Sequence, residues 1–119
     1  MEITIWIVSG LVAVAMLVAG ALKLATPHEK YVGMQPWAGD FSRTQVLLIG
    51  AVEILGAIGL ILPRLLDIAP ILSPIAATGI VILFIVAMSV HIRRKEPFVP
   101  NVVFILLAGF LATAGFLGY

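Results

Sequence analysis

Four apolar stretches dominate the sequence, and each is about as long as the hydrocarbon core of a bilayer is thick. They cover about residues 3–25, 44–62, 69–90 and 101–118. A helix that spans a bilayer needs about 20 mostly apolar residues. Each stretch therefore predicts a transmembrane helix. The chain is expected to form one domain, an all-α membrane protein whose four helices pack as an antiparallel bundle.

Composition supports a membrane protein and excludes several functions. Of 119 residues, 62% are hydrophobic and 11% are charged, against about 45–50% and 25% in soluble domains. A net charge of +1 gives no electrostatic reason to expect a nucleic-acid partner. The absence of cysteine excludes thiol redox chemistry and cysteine-held iron–sulfur clusters. Because the first stretch follows Glu2 and lacks a basic start, we expect a retained helix rather than a signal peptide.

The connection between the first two predicted spans carries signals for helix starts. Residues 26–29, of sequence TPHE, have the form of a capping box with proline at the first helical position. This predicts a short helix from Pro27 to about Val32, lying at the membrane interface. Residues 42–45, of sequence SRTQ, predict a second capping box before the next span. Pro63 is expected to end that span.

Basic residues are concentrated in two of the three predicted connections. Six of the seven Lys and Arg residues lie in or beside the first and third connections, and only Arg64 lies on the other side. The positive-inside rule therefore predicts that these two connections are cytoplasmic and that both termini are outside. Tyr31 and Trp37 fall in the first connection, where interfacial aromatic residues are expected. The six basic residues are Lys23, Lys30, Arg43, Arg93, Arg94 and Lys95.

Glu53 is the only acidic residue deep within a predicted span. At about 1.5 Å per residue, it lies about 13 Å from Thr44, close to the bilayer midplane. A charged side chain there costs about 2.5–3.5 kcal/mol. Glu53 should therefore face the interior of the bundle, either at a ligand pocket or as a hydrogen-bonded link between helices.

Three other polar residues lie in the same, predicted cytoplasmic half. Lys23 could extend to pair with Glu53 or serve as an interfacial anchor. His91 could bridge these two groups or mark the membrane edge, and Asn101 after Pro100 has the position of a helix N-cap. We predict a buried polar network or ligand pocket, with no catalytic residue and no metal site. Its candidate residues are Lys23, Glu53, His91 and Asn101.

Glycines in the first two spans are candidates for close helix packing. Lipid tails give helices no hydrophobic reason to associate, so small residues that allow close approach are favoured at their contacts. The predicted packing positions are Gly20, Gly50, Gly56 and Gly59.

These residues, taken together, resemble the DoxX-like family. The likeness covers nearly the full length and implies a four-helix membrane protein in a bacterial inner membrane. Function within the family is varied: its name comes from a subunit of a thiosulfate:quinone oxidoreductase, other members are associated with oxidative-stress membrane complexes, and distant eukaryotic relatives assist receptor assembly. The resemblance is carried by Gly20-x-x-Lys23, by Gly50-x-x-Glu53-x-x-Gly56-x-x-Gly59-Leu60-x-x-Pro63, and by His91 followed by basic residues.

Three functions fit this sequence. The favoured one is a non-catalytic membrane subunit or binding and assembly protein, whose polar pocket receives a small amphiphile, a quinone head group or a helix of a membrane partner or second copy. The alternative is a small proton-coupled multidrug-type transporter that uses Glu53 within the membrane. An enzyme is less favoured, because a bis-histidine haem would need His28 and His91, the only two histidines. No resident cofactor is predicted.

Overall fold

The computed structural model describes residues 2–119, and every regular element in this range is helical. Four of these helices are long and apolar enough to cross a membrane: Glu2–Ala25, Arg43–Leu66, Leu72–Arg93 and Val99–Phe116. The prediction of an all-α membrane protein with four spans is therefore confirmed. In chain order the elements are α1 (Glu2–Ala25), α2 (His28–Met34), a 3-10 turn (Pro36–Asp40), α3 (Arg43–Leu66), α4 (Leu72–Arg93) and α5 (Val99–Phe116).

The four long helices contact one another in a closed order. α1 packs on α3, α3 on α4, α4 on α5, and α5 returns to α1. Their remaining faces expose many large apolar side chains, as expected when the surrounding solvent is lipid. On α1 and α3 the buried residues recur every three or four positions, so each helix buries one stripe. The α3 stripe consists of Val46, Gly50, Glu53, Ala57 and Leu60.

The start of α3 has the predicted capping box. The backbone amide of Gln45 donates to the Ser42 hydroxyl at 3.1 Å, and the Ser42 amide donates to the Gln45 side-chain oxygen at 2.8 Å. Two amides that the helix cannot satisfy internally are thereby paired.

The capping box predicted at residues 26–29 does not form. Pro27, not Thr26, is the N-cap of α2, and no side chain caps this end. The reason is that the Thr26 amide still donates to the Leu22 carbonyl at 3.0 Å and so completes the last turn of α1. The first carbonyl of α2 is that of Pro27, and α2 runs over His28–Met34 rather than from Pro27 to Val32.

Pro63 does not end α3 as predicted. The helix continues to Leu66 with Pro63 inside its last turn, where the proline removes one amide donor from a helix that is about to end. Termination comes at Asp67, which adopts a left-handed conformation with φ 54°. The Ile68 amide then donates to the Pro63 carbonyl at 3.1 Å.

Asn101 is not the N-cap of the last helix. α5 begins at Val99, Phe98 occupies the N-cap position, and Pro100 lies within the first turn. A proline there has no amide that needs a partner, and its fixed φ suits the helix, so the helix can begin before Asn101. The Asn101 side chain is instead buried among the helices.

Candidate functional site

The site begins with a close approach of α1 and α3 at two glycines. A Cβ atom added at Gly20 would lie 2.7 Å from the carbonyl oxygen of Gly50, and one added at Gly50 would lie 3.0 Å from the carbonyl oxygen of Gly20. Because both contacts are with backbone atoms, neither can be relieved by a change of rotamer. Only glycine at both positions allows the helices to lie this close.

This approach also brings Lys23 to Glu53. A Cβ atom at Gly50 would lie 2.9 Å from the Cβ of Lys23, so the lysine side chain leaves α1 directly beside Gly50. Glu53 lies three residues further along α3, about 4.5 Å along the helix axis. The Lys23 Nζ atom reaches it, with 2.6 Å between Nζ and Glu53 Oε1. The two residues are only 6% and 5% exposed, so the pair is buried.

Two aromatic rings lie near the ammonium group of Lys23. Its Nζ atom is 5.8 Å from the ring centre of Tyr31 and 5.7 Å from that of Trp37. Trp37 in turn makes edge-to-face contacts with Tyr31 and Phe41. Cation–π contacts of this kind contribute about 2 kcal/mol when desolvated. Residues of the connection between α1 and α3 therefore surround the buried cation.

Glu53 retains acceptor capacity. Its Oε1 atom is buried 2.6 Å from Lys23 Nζ, and no other side chain within residues 2–119 donates a hydrogen bond to it. A carboxylate offers about four lone-pair directions, so Glu53 can still accept from a donor in the adjoining space.

That space is a cavity of about 610 Å³, within the range of about 300–1,000 Å³ typical of ligand pockets. All four residues of the predicted polar network, Lys23, Glu53, His91 and Asn101, line it. The structure therefore places them around one cavity. Most of the remaining wall is apolar or aromatic, and it includes Met16, Tyr31, Trp37, Leu83, Phe84 and Phe104.

His91 does not bridge Lys23 and Glu53. Its Nδ1 atom lies 3.1 Å from Oε1 of Glu96, just beyond the end of α4. Its ring makes an edge-to-face contact with Trp37, with centroids 6.4 Å apart. The histidine therefore supports the aromatic side of the cavity.

Arg94 connects the 3-10 turn to the end of α4. Its Nη1 atom is 2.7 Å from Asp40 Oδ2, and its Nε atom is 3.4 Å from Glu96 Oε2. Hydrogen bonding to Asp40 raises the pKa of the Arg94 guanidinium above its ordinary value. The other two basic residues of this connection, Arg93 and Lys95, are exposed.

Gly56 and Gly59 lie on a different contact from Gly20 and Gly50. Cβ atoms at Gly56 and Gly59 would lie 3.4 Å from Ile80 and 3.1 Å from Ala76, both on α4. The glycines of α3 therefore pack against two different helices. Gly50 faces α1, whereas Gly56 and Gly59 face α4.

Sequence reasoning missed the aromatic part of the cavity wall. The sequence indicates Tyr31 and Trp37 only as interfacial residues. It gives no indication of the stacking between Phe84 and Phe104, whose ring centroids are 5.2 Å apart. The available signal was the concentration of Tyr31, Trp37 and Phe41 in one connection that follows Lys23 closely. It indicates an aromatic cluster but not what the cluster covers.

The His, Asp and Glu side chains are dispersed over the described part of the chain. Within residues 2–119, no three His, Asp or Glu side chains are grouped as a ligand set. His28 lies in α2, where its Nδ1 atom is buried and accepts or donates no hydrogen bond within the same range.

Comparison with known proteins identifies one family. The model of the DoxX-like family matches residues 7–115, which include all four long helices except the ends of the first and last. Neither the curated proteins nor the solved structures contain a significant match to the chain.

Proposed function

Because this chain belongs to the DoxX-like family, we propose that it is a non-catalytic integral membrane binding protein whose cavity receives a small amphiphile. The observation that carries this proposal is the buried Lys23–Glu53 pair in the wall of an otherwise largely apolar cavity of about 610 Å³. A few convergent polar groups in an apolar pocket are typical of small-molecule sites. The ion pair would bind the head group, and the apolar walls would enclose the rest.

The charges of the pair favour an uncharged head group. Lys23 and Glu53 cancel, so a ligand with a formal charge would meet a like charge from one of them without water to screen it. The Lys23 ammonium can donate to an oxygen acceptor of the ligand, and the remaining lone pairs of the Glu53 carboxylate can accept from a donor. A quinone head group supplies only acceptors. A head group with both a hydroxyl and a carbonyl, such as a glycerol ester, satisfies both residues.

The same pair argues against the proton-coupled transporter. Such a transporter must release the carboxylate from its partner in each cycle so that a proton and a substrate can alternate on it. With the Lys23 ammonium 2.6 Å away, this requires breaking a buried ion pair, which costs about 3–5 kcal/mol when one partner is lost. A binding site can keep the Lys23–Glu53 ion pair intact.

The orientation in the membrane is also a proposal. Six of the seven Lys and Arg residues lie in or beside the first and third connections, and the positive-inside rule favours a cytoplasmic position for both connections in a bacterial inner-membrane protein. The cavity would then lie in the cytoplasmic half of the bilayer, since residues beside those connections line it.

Trp37 provides a direct test of ligand binding because it lines the cavity. The chain has two tryptophans, so Trp6→Phe leaves Trp37 as the sole fluorophore. We expect saturable changes in its emission when hexanoyl monoacylglycerol is titrated into the purified protein. Adding Glu53→Gln should weaken binding by about tenfold or more, because a charged hydrogen-bond acceptor is lost. Glu29→Gln changes an exposed carboxylate and should leave the affinity unchanged.

Two results would overturn the proposal. One is an emission that does not saturate with the monoacylglycerol. The other is equal affinity in the Glu53→Gln and Glu29→Gln proteins. If, instead, liposomes containing the protein show a proton flux that Glu53→Gln abolishes, the transporter is the better account.

A further inference from the structure

A second, smaller cavity lies between α3 and α4. Its volume is about 260 Å³, and no charged residue lines it. Val52 and Leu55, which border it on α3, are 53% and 67% exposed, so the cavity is a groove on the lipid-facing surface. Its lining consists of Met16, Val52, Leu55, Gly56, Ala76, Gly79, Ile80 and Leu83.

This groove adjoins the larger cavity. Met16 and Leu83 line both spaces, so the two share part of one wall. Methionine is unbranched and adapts its shape readily. A small change in the Met16 side chain would therefore join the groove to the cavity that contains the Lys23–Glu53 pair.

The groove exists because the facing positions have short side chains. Gly56, Ala76 and Gly79 line the groove, and a Cβ atom added at Gly79 would meet no atom within 4 Å. From Ala76 to Leu83 the groove extends about 10 Å along α4, at about 1.5 Å per residue. This shape suits a single narrow apolar chain.

We propose that this groove binds the acyl chain of the amphiphile whose head group lies at the Lys23–Glu53 pair. This inference rests on the proposed function and adds the ligand class, a single-chain, uncharged lipid that enters from the bilayer between α3 and α4. Three observations select this occupant: the lining has no charge, its border is exposed to lipid, and it shares Met16 and Leu83 with the wall of the head-group cavity.

Selectivity in the groove must come from shape. An acyl chain gains little hydrophobic free energy on leaving lipid, because lipid tails are equally apolar. It gains close contacts with the groove wall instead, and these contacts disappear if the space is already filled. A bulky side chain at Gly79 should consequently exclude the tail without affecting the head group.

Photo-crosslinking tests the location of the tail. The probe is a hexadecanoyl monoacylglycerol with a diazirine halfway along its chain, added to the purified full-length protein. We expect crosslinks within residues 52–56 of α3 and residues 76–83 of α4. Exclusive labelling of the other faces of the helices would overturn the proposal, and this result does not depend on any variant.

A matched pair of variants tests the shape argument. Gly79→Leu fills the groove at a position with no neighbour within 4 Å, and Gly109→Leu adds the same side chain to α5, also with no neighbour and outside both cavities. Gly79→Leu should weaken binding of the hexadecanoyl probe by about fivefold or more. Hexanoyl monoacylglycerol, whose chain fits the larger cavity, should bind both variants equally.

The outcomes separate the two proposals. If both variants bind the hexadecanoyl probe alike while Trp37 still reports binding of hexanoyl monoacylglycerol, the groove proposal is wrong and the head-group site stands. If hexanoyl monoacylglycerol produces no saturable change in Trp37 emission in the protein that retains Gly79, the proposed function fails and the groove proposal fails with it.

Discussion

Gly20→Ala should destabilise the protein although alanine is the better helix former. The added Cβ would lie 2.7 Å from the Gly50 carbonyl oxygen and 2.7 Å from Cγ1 of Ile54. Ile54 can rotate away, but the backbone oxygen cannot. α1 and α3 must therefore separate, and Lys23 then moves away from Glu53.

The magnitude follows from two opposing effects. Replacing glycine by alanine within a helix stabilises it by about 0.5–1 kcal/mol. Overpacking at a tight contact costs about 1–3 kcal/mol. Gly10 lies on the same helix, and a Cβ atom there meets nothing within 4 Å, so Gly10→Ala should show the stabilising effect alone. The free energies of unfolding of the two variants should differ by about 1–3 kcal/mol, with Gly20→Ala the less stable.

Reversible unfolding in mixtures of mild and denaturing detergent measures both variants under the same conditions. Wild-type protein provides the reference for each. Equal stabilities for Gly20→Ala and Gly10→Ala would refute the close approach of α1 and α3, because the only expected difference between them is the steric contact.

Two other predictions concern the connections between the long helices. Arg94→Gln removes the ion pair with Asp40 and should make Trp37 more accessible to acrylamide in the Trp6→Phe protein, whereas Lys95→Gln should not. Equal quenching of Trp37 in the two variants would show that Arg94 does not hold the 3-10 turn in place. In the cysteine-free chain, Glu29→Cys should react with an impermeant maleimide only from the cytoplasmic side, and Ile68→Cys only from the outside. Labelling of both from one side would contradict the orientation.

The number of long helices and the start of α3 can be predicted from the sequence, because both are determined by residues close together in the chain. Four long apolar stretches predict four spans whatever the tertiary contacts are. The Ser42 capping box forms because both of its hydrogen bonds join residues three positions apart. The box at Thr26 had the same local pattern, but the last turn of α1 already used the Thr26 amide. Competition between adjacent helices decided that case.

The partner of Glu53 depends on contacts between helices, so the sequence alone does not identify it. The sequence places Lys23 and Glu53 in the same half of the bilayer, where pairing with Glu53 and anchoring at the interface are both reasonable for a long lysine side chain. The approach at Gly20 and Gly50 permits pairing, because the lysine side chain passes beside a residue that has none. Trp37 was missed for the same reason, since its place over Lys23 comes from the folding of the whole connection.

A double-mutant cycle on the buried pair tests the account most directly. Lys23→Met and Glu53→Gln each leave one buried charge without its partner, so each should lower the free energy of unfolding by about 3–5 kcal/mol. The combined variant removes both charges and should lose much less than the sum of the single losses. Strictly additive losses, or single variants as stable as the wild type, would show that Lys23 and Glu53 do not form a coupled buried pair.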